Sequence, residues 1–166
     1  VLVTGSSSGI GYEITSKLLD LGAKVIGIAR NHDRYKLENK NYTTYNCDVS
    51  VHNKLETLLK QILKSHPEIN CLISNAGYGL FENLENLKER EVIDFFNVNL
   101  LAHILISKIL VSHFKKKKTG HFIFIGSEAS LKGNQKSTLY SAAKHGLLGF
   151  VKSFREECSK SEIRVT

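Results

Sequence analysis

Apolar positions along the chain alternate between short β-like runs and helix-spaced stripes. Residues 1–3 are apolar and β-branched, and the run ends at Thr4-Gly5. Ile10, Ile14, Leu18 and Leu21 then recur at three- and four-residue spacing, and Gly22 follows as a helix stop. Residues 24–29 form a second apolar run and 42–46 a weaker third. Leu55, Leu58, Leu59, Ile62 and Leu63 mark another helix, stopped before Pro67. Cys71, Leu72 and Ile73 read as a fourth strand, broken by Asn75-Ala76-Gly77. A long helical pattern covers 89–114, a fifth strand 121–125, a last helix 139–158, and a sixth strand opens at 163. Short apolar strands separated by helices predict an α/β fold. Right-handed crossovers make it a doubly wound parallel sheet of the Rossmann type, with helices on both faces.

No repeat, low-complexity tract or Pro/Ser-rich linker interrupts the pattern, so residues 1–166 read as one domain. The chain contains no Met, opens inside an apolar strand and closes at the start of another. The expectation is an excised piece of a longer chain, with the C-terminal part of the fold beyond Thr166. In the long helix, Ile93, Phe96, Leu100, Ile104, Leu105 and Ile109 spread over more than one stripe. Either deep burial or a subunit interface would account for them.

Composition narrows the function classes. Apolar residues make up 42% and charged residues 23%, which fits a globular chain and not a disordered or fibrous one. No unbroken apolar run reaches the ~18 residues of a membrane span, and the opening lacks the pattern of a secretory leader. Cys47, Cys71 and Cys158 are scattered, which suits free thiols in a reducing compartment rather than disulfides or a metal site. A cytoplasmic protein with no membrane partner is expected. The net charge of +7 is concentrated only at Lys115-Lys116-Lys117-Lys118, at the end of a helical pattern. Cations there face the helix C-terminal dipole, and no aromatic residues interleave with them, so no nucleic-acid partner is expected.

Candidate chemistry begins at Thr4-Gly5-Ser6-Ser7-Ser8-Gly9-Ile10-Gly11, between the first strand and the first helix. Glycines let the backbone turn sharply and approach a ligand, and free amides at the helix N-terminus favour an anion. This is where a doubly wound sheet holds a dinucleotide pyrophosphate. The turn is not a P-loop, since no Lys-Ser/Thr follows. At the end of the second strand, an acidic residue would bind the ribose of NAD; here Ala29 is followed by Arg30, with His32 and Arg34 close behind. A guanidinium suits a 2′-phosphate, so the cofactor expected is NADP rather than NAD.

Of the six tyrosines, only Tyr140 has a lysine four residues later, Lys144. Positions i and i+4 share a helix face, and a nearby ammonium stabilises a phenolate, so Tyr140 is a candidate general acid and base. Ser127 follows the fifth strand and could hydrogen-bond a substrate oxygen. Asn99, inside the long apolar helix, is either a satisfied buried amide or a group that holds water near the site.

Together these residues resemble the short-chain dehydrogenase/reductase family. The resemblance spans the chain: the T-G-x-x-x-G-x-G turn, Cys47-Asp48-Val49, Asn75-Ala76-Gly77, Asn99, Ser127 and Tyr140-Ser141-Ala142-Ala143-Lys144. It implies that the turn, including Gly5, Ser7, Ser8, Gly9, Ile10 and Gly11, holds the cofactor. It places Asp48 and Val49 at the adenine and makes Asn75, Ala76 and Gly77 line the cofactor. Tyr140 would be the proton donor and acceptor, and Ser127 would orient the substrate oxygen. Lys144 would bind the nicotinamide ribose and Asn99 would hold a relay water. It further implies a homodimer or homotetramer paired through two long helices. Gly126-Ser127-Glu128 departs from the family's usual two serines, and the family's substrate loop lies past the sixth strand. The function expected is interconversion of a carbonyl and a secondary alcohol, with a dinucleotide-binding scaffold that does no chemistry as the alternative.

Overall fold

The computed structural model describes residues 1–33 and 36–166. Among the described residues there are six strands: β1 (Leu2–Thr4), β2 (Val25–Ala29), β3 (Tyr42–Asn46), β4 (Cys71–Ser74), β5 (Gly120–Phe124) and β6 (Ile163–Val165). The same residues form five α-helices: α1 (Gly9–Asp20), α2 (His52–Ser65), α3 (Glu89–Phe96), α4 (Ala102–Lys117) and α5 (Thr138–Cys158). All strand pairs are parallel and the order is β3-β2-β1-β4-β5-β6. The chain winds outward one way from β1 to β3, then returns to pair β4 on the other side of β1. That reversal opens a crevice at the carboxyl ends of β1 and β4.

Alternation along each strand sends neighbours to opposite faces. Leu2, Leu72 and Phe122 join Leu55, Leu59, Ile106, Leu110, Leu147 and Phe154, so α2, α4 and α5 cover one face. Val3 and Ile73 join Leu19 with Ile14 and Leu18, so α1 covers the other. Helices on both faces is thus the observed arrangement. The interior strand β2 is buried along its whole length, whereas β3, at the sheet edge, has only partly buried and exposed positions. That explains why β3 gave the weakest apolar signal in the sequence.

The long helical pattern departs from expectation. The helix runs from Glu89 to Lys117 but contains a π turn at Asn97–Leu101, so Asn99 lies in a widened turn rather than in regular α-helix. Such bulges cost regular hydrogen bonding and recur at functional sites. The helix has the length and apolarity of a membrane span, yet Phe95, Ile106, Leu110 and Phe114 are fully buried against the protein interior. Deep burial does not hold for the six positions named from the sequence: Ile93 is 51% exposed, and Phe96, Leu100, Ile104, Leu105 and Ile109 are only partly buried.

Candidate active site

The turn after β1 is tied to the exit of β4. Thr4 Oγ1 accepts from the Asn75 and Ala76 amides at 3.0 and 3.1 Å. The Asn75 side-chain amide donates in turn to the Thr4 and Gly5 carbonyls. A Cβ at Gly11 would run into the Gly5 carbonyl oxygen and the Asn75 side chain, so only glycine lets α1 start this close to the turn. Ser8 occupies the N-cap of α1 in extended conformation without a side-chain cap bond, and the first turn carries no acidic residue. The leading amides of α1 are therefore available to an outside anion.

A cleft of about 1030 Å³ opens over these elements. Gly5, Ser7, Ser8, Gly9 and Ile10 line it from the turn, and Arg30 from the end of β2. Asp48 and Val49 line it beyond β3, Asn75, Ala76 and Gly77 beyond β4, and Asn99, Tyr140 and Lys144 from the helices. Gly11 lies behind the turn rather than on the cleft wall. Arg34 lies outside the described residues. Burial opposes ionisation of Asp48, but the Ser50 hydroxyl and amide that its Oδ1 accepts, helped by the Arg30 guanidinium, hold its carboxyl below the usual range.

Tyr140 and Lys144 come together as their spacing requires. Lys144 is 6% exposed, and its Nζ lies 5.8 Å from the Tyr140 ring centroid while donating to the Ile125 carbonyl at 2.9 Å. Burial pushes the Lys144 ammonium below its ordinary value. The Tyr140 ring is propped by Phe81 and Phe95, at centroid distances of 5.6 and 6.4 Å. Ser127 is placed differently. Its Oγ accepts from the Ala129 amide at 3.2 Å and caps a short 3₁₀ turn over Glu128–Ser130. The neighbouring Gly126 lines the cleft, but Ser127 does not.

Two side chains one turn apart clamp the segment 74–78. Fully buried Asn99 accepts the Tyr78 amide on Oδ1 at 3.1 Å and donates to the Phe95 carbonyl. A Cβ at Gly77 would stand 2.8 Å from that Oδ1. At the other end, His103 Nδ1 lies 2.6 Å from the Ser74 hydroxyl, and the ring is buried. Burial, with the Lys144 ammonium adding to it, lowers the His103 pKa to about 4. The unfolded chain binds this proton below pH ~6.5, whereas the folded chain does so only near pH 4. Stability contributed above pH 6.5 is thus lost as pH falls from 6.5 to 4, by about 3 kcal/mol in all. Urea unfolding midpoints of wild type and His103→Gln, measured at pH 7 and 4.5, should diverge: the wild type should lose more stability on acidification.

A family model described as short chain dehydrogenase matches residues 1–166. The chain belongs to the short chain dehydrogenase family. This is a family of oxidoreductases that bind NAD or NADP. The 3-oxoacyl-[acyl-carrier-protein] reductase FabG of Haemophilus influenzae is 36% identical over 169 residues, covering 99% of this chain and 69% of that protein. Carbonyl reductase family member 4 of Xenopus laevis is 30% identical, covering 98% of this chain and 70% of the relative. A metagenomic short-chain oxidoreductase solved with NADP superposes with a TM-score of 0.93 at 31% identity, over 100% of this chain and 78% of that one. A short-chain dehydrogenase from Streptomyces avermitilis shares the fold with a TM-score of 0.92 at 24% identity. The present chain spans 63% of its length.

Some contributors to the cleft carried no motif. Tyr78, Arg90 and Asp94 all line it. Tyr78 follows Asn75-Ala76-Gly77 directly and could have been flagged by position. Arg90 and Asp94 form an exposed i,i+4 ion pair on α3, indistinguishable in sequence from any solvated helix face. Ser74 and His103 left a readable trace, as polar residues inside otherwise apolar runs.

Proposed function

We propose that this protein is an NADP-dependent oxidoreductase that interconverts a small-molecule carbonyl and a secondary alcohol, with Tyr140 moving the proton. The observation that carries the reading is the Tyr140–Lys144 pair facing the same cleft as the uncapped N-terminus of α1. The residues present fit a dinucleotide: the free amides of α1 with Ser7, Ser8, Gly9 and Ile10 would hold its phosphates. Asp48 and Val49 would flank the adenine, and Asn75, Ala76 and Gly77 would line its path. Bound nicotinamide supplies or takes up the hydride. Tyr140 gives its hydroxyl proton to the carbonyl oxygen in reduction and takes it back in oxidation. Lys144, fixed by the Ile125 carbonyl beside the Tyr140 ring, would bind the nicotinamide ribose. Asn99 would hold a water beside Gly77. Ser127 would orient the substrate oxygen: a hydroxyl that accepts from Ala129 still has its own proton to donate.

The NADP preference rests on Arg30, which is exposed on the cleft wall with no carboxylate following it directly. Replacing Arg30 with Asp should lower the ratio of kcat/KM for NADPH over NADH by about 10- to 100-fold, the worth of charge-assisted hydrogen bonds to a phosphate. Equal use of both nucleotides by the wild type would reject the preference. Pairing of copies into a homodimer or homotetramer through the long helices would cover exposed Ile93 and Leu101. The free Cys47, Cys71 and Cys158 suit a cytoplasmic setting. The position of Ser127 off the cleft wall favours a second reading, a dinucleotide-binding scaffold without chemistry. Tight NADPH binding with no oxidation by any member of a broad carbonyl panel would decide for it.

A further inference from the structure

His32 takes no part in the mechanism above, yet it joins two walls of the cleft. Its Nδ1 lies 2.9 Å from the side-chain oxygen Oδ1 of Asn46, at the end of β3. That oxygen can only accept, so Nδ1 carries the proton. Nε2, 2.9 Å from Ser6 Oγ, is then free to accept the serine hydroxyl. Ser6 is buried, directly behind cleft-lining Ser7 and Ser8, and His32 directly follows cleft-lining Arg30 and Asn31. The bridge therefore stands one residue behind each wall. The space for it is provided by Gly27, where a Cβ would run into both Ser6 Oγ and the Tyr42 hydroxyl. The edge of the Tyr42 ring flanks the imidazole, with centroids 6.3 Å apart.

We propose that His32 is a specificity-determining positioning residue: by tying the phosphate turn to β3, it holds Arg30 and the Ser7–Ser8 wall at the spacing that admits a phosphate on the adenosine ribose. The inference rests on the NADP reading. Both dinucleotides share the phosphate contacts of the turn, and only the extra phosphate also needs Arg30 at that spacing, so a dinucleotide lacking it depends on the bridge less. A residue needed merely for folding would affect both nucleotides alike.

The test is calorimetric binding of NADPH and NADH, without substrate, to wild type, His32→Ala, His32→Gln and Ser6→Ala. His32→Ala should weaken NADPH about tenfold and NADH less than twofold. Ser6→Ala, which removes the other end of the bridge with little change of volume, should shift the ratio in the same direction and serves if His32→Ala does not fold. Gln can donate to Asn46 and accept from Ser6, so His32→Gln should restore most of the preference. Parallel weakening of both nucleotides, or an unchanged ratio in folded His32→Ala and Ser6→Ala, would overturn the proposal. Wild type that binds neither nucleotide, or both equally, would instead overturn the cofactor reading beneath it.

Discussion

Tyr140→Phe should lower turnover about 10³-fold, within the range that a positioned proton donor contributes, while the Kd for NADPH stays within about twofold. The substitution removes one oxygen and leaves the ring. The contacts with Phe81 and Phe95 persist, and so does the Lys144 bond to Ile125, since neither uses the hydroxyl. The cleft keeps its shape, and what is lost is the proton. Single-turnover oxidation of NADPH with a carbonyl panel measures the loss, and fluorescence titration of NADPH measures retained binding. Turnover comparable to wild type would reject the proposed role of Tyr140. A collapse of binding with unchanged chemistry per bound nucleotide would show that the ring oxygen serves the cofactor instead.

Gly11→Ala should abolish dinucleotide binding and destabilise the fold. The new methyl meets backbone, the Gly5 carbonyl, and not the flexible end of a side chain. Relief therefore requires α1 to withdraw from the turn or the turn to leave β4. The second route breaks the Asn75 bonds to Thr4 and Gly5. Overpacking against a fixed neighbour costs about 1–3 kcal/mol, and losing buried amide partners adds to it. A loss of about 3 kcal/mol corresponds to a Tm lower by roughly 10 °C in a chain of this size. Calorimetric unfolding and NADPH titration check both halves. A variant with wild-type Tm and binding would show that α1 does not need to start against the Gly5 carbonyl.

Much of this architecture was readable in the residues because its signals are local. Strand and helix periodicities depend on near neighbours, so the alternation of β1 through β6 with helices, and from it the doubly wound parallel sheet, followed from apolar spacing. The strand–turn–helix context of Thr4 to Gly11 and the i,i+4 relation of Tyr140 and Lys144 are local too. The weak signal of β3 has the same cause: an edge strand buries little, and burial is what the pattern records.

Local signals end where the chain meets itself across long separations. Asn75 is 70 or more residues from the Thr4 and Gly5 carbonyls that it binds, and His103 is 29 residues from Ser74. No periodicity encodes such pairs; they arise once the sheet order sets β1 beside β4 and α4 beneath them. Asn99 could be named in the sequence, but its place in a π turn and its bond to the Tyr78 amide, 21 residues away, could not. Ser127 could be named likewise, yet its hydroxyl caps a 3₁₀ turn because the chain must reverse after β5. By itself the sequence determined which elements form and which local groups bear chemistry, since nearest-neighbour geometry controls both. Tertiary structure alone decided which distant side chains clamp the cleft and where each points, because that depends on how completed elements pack together.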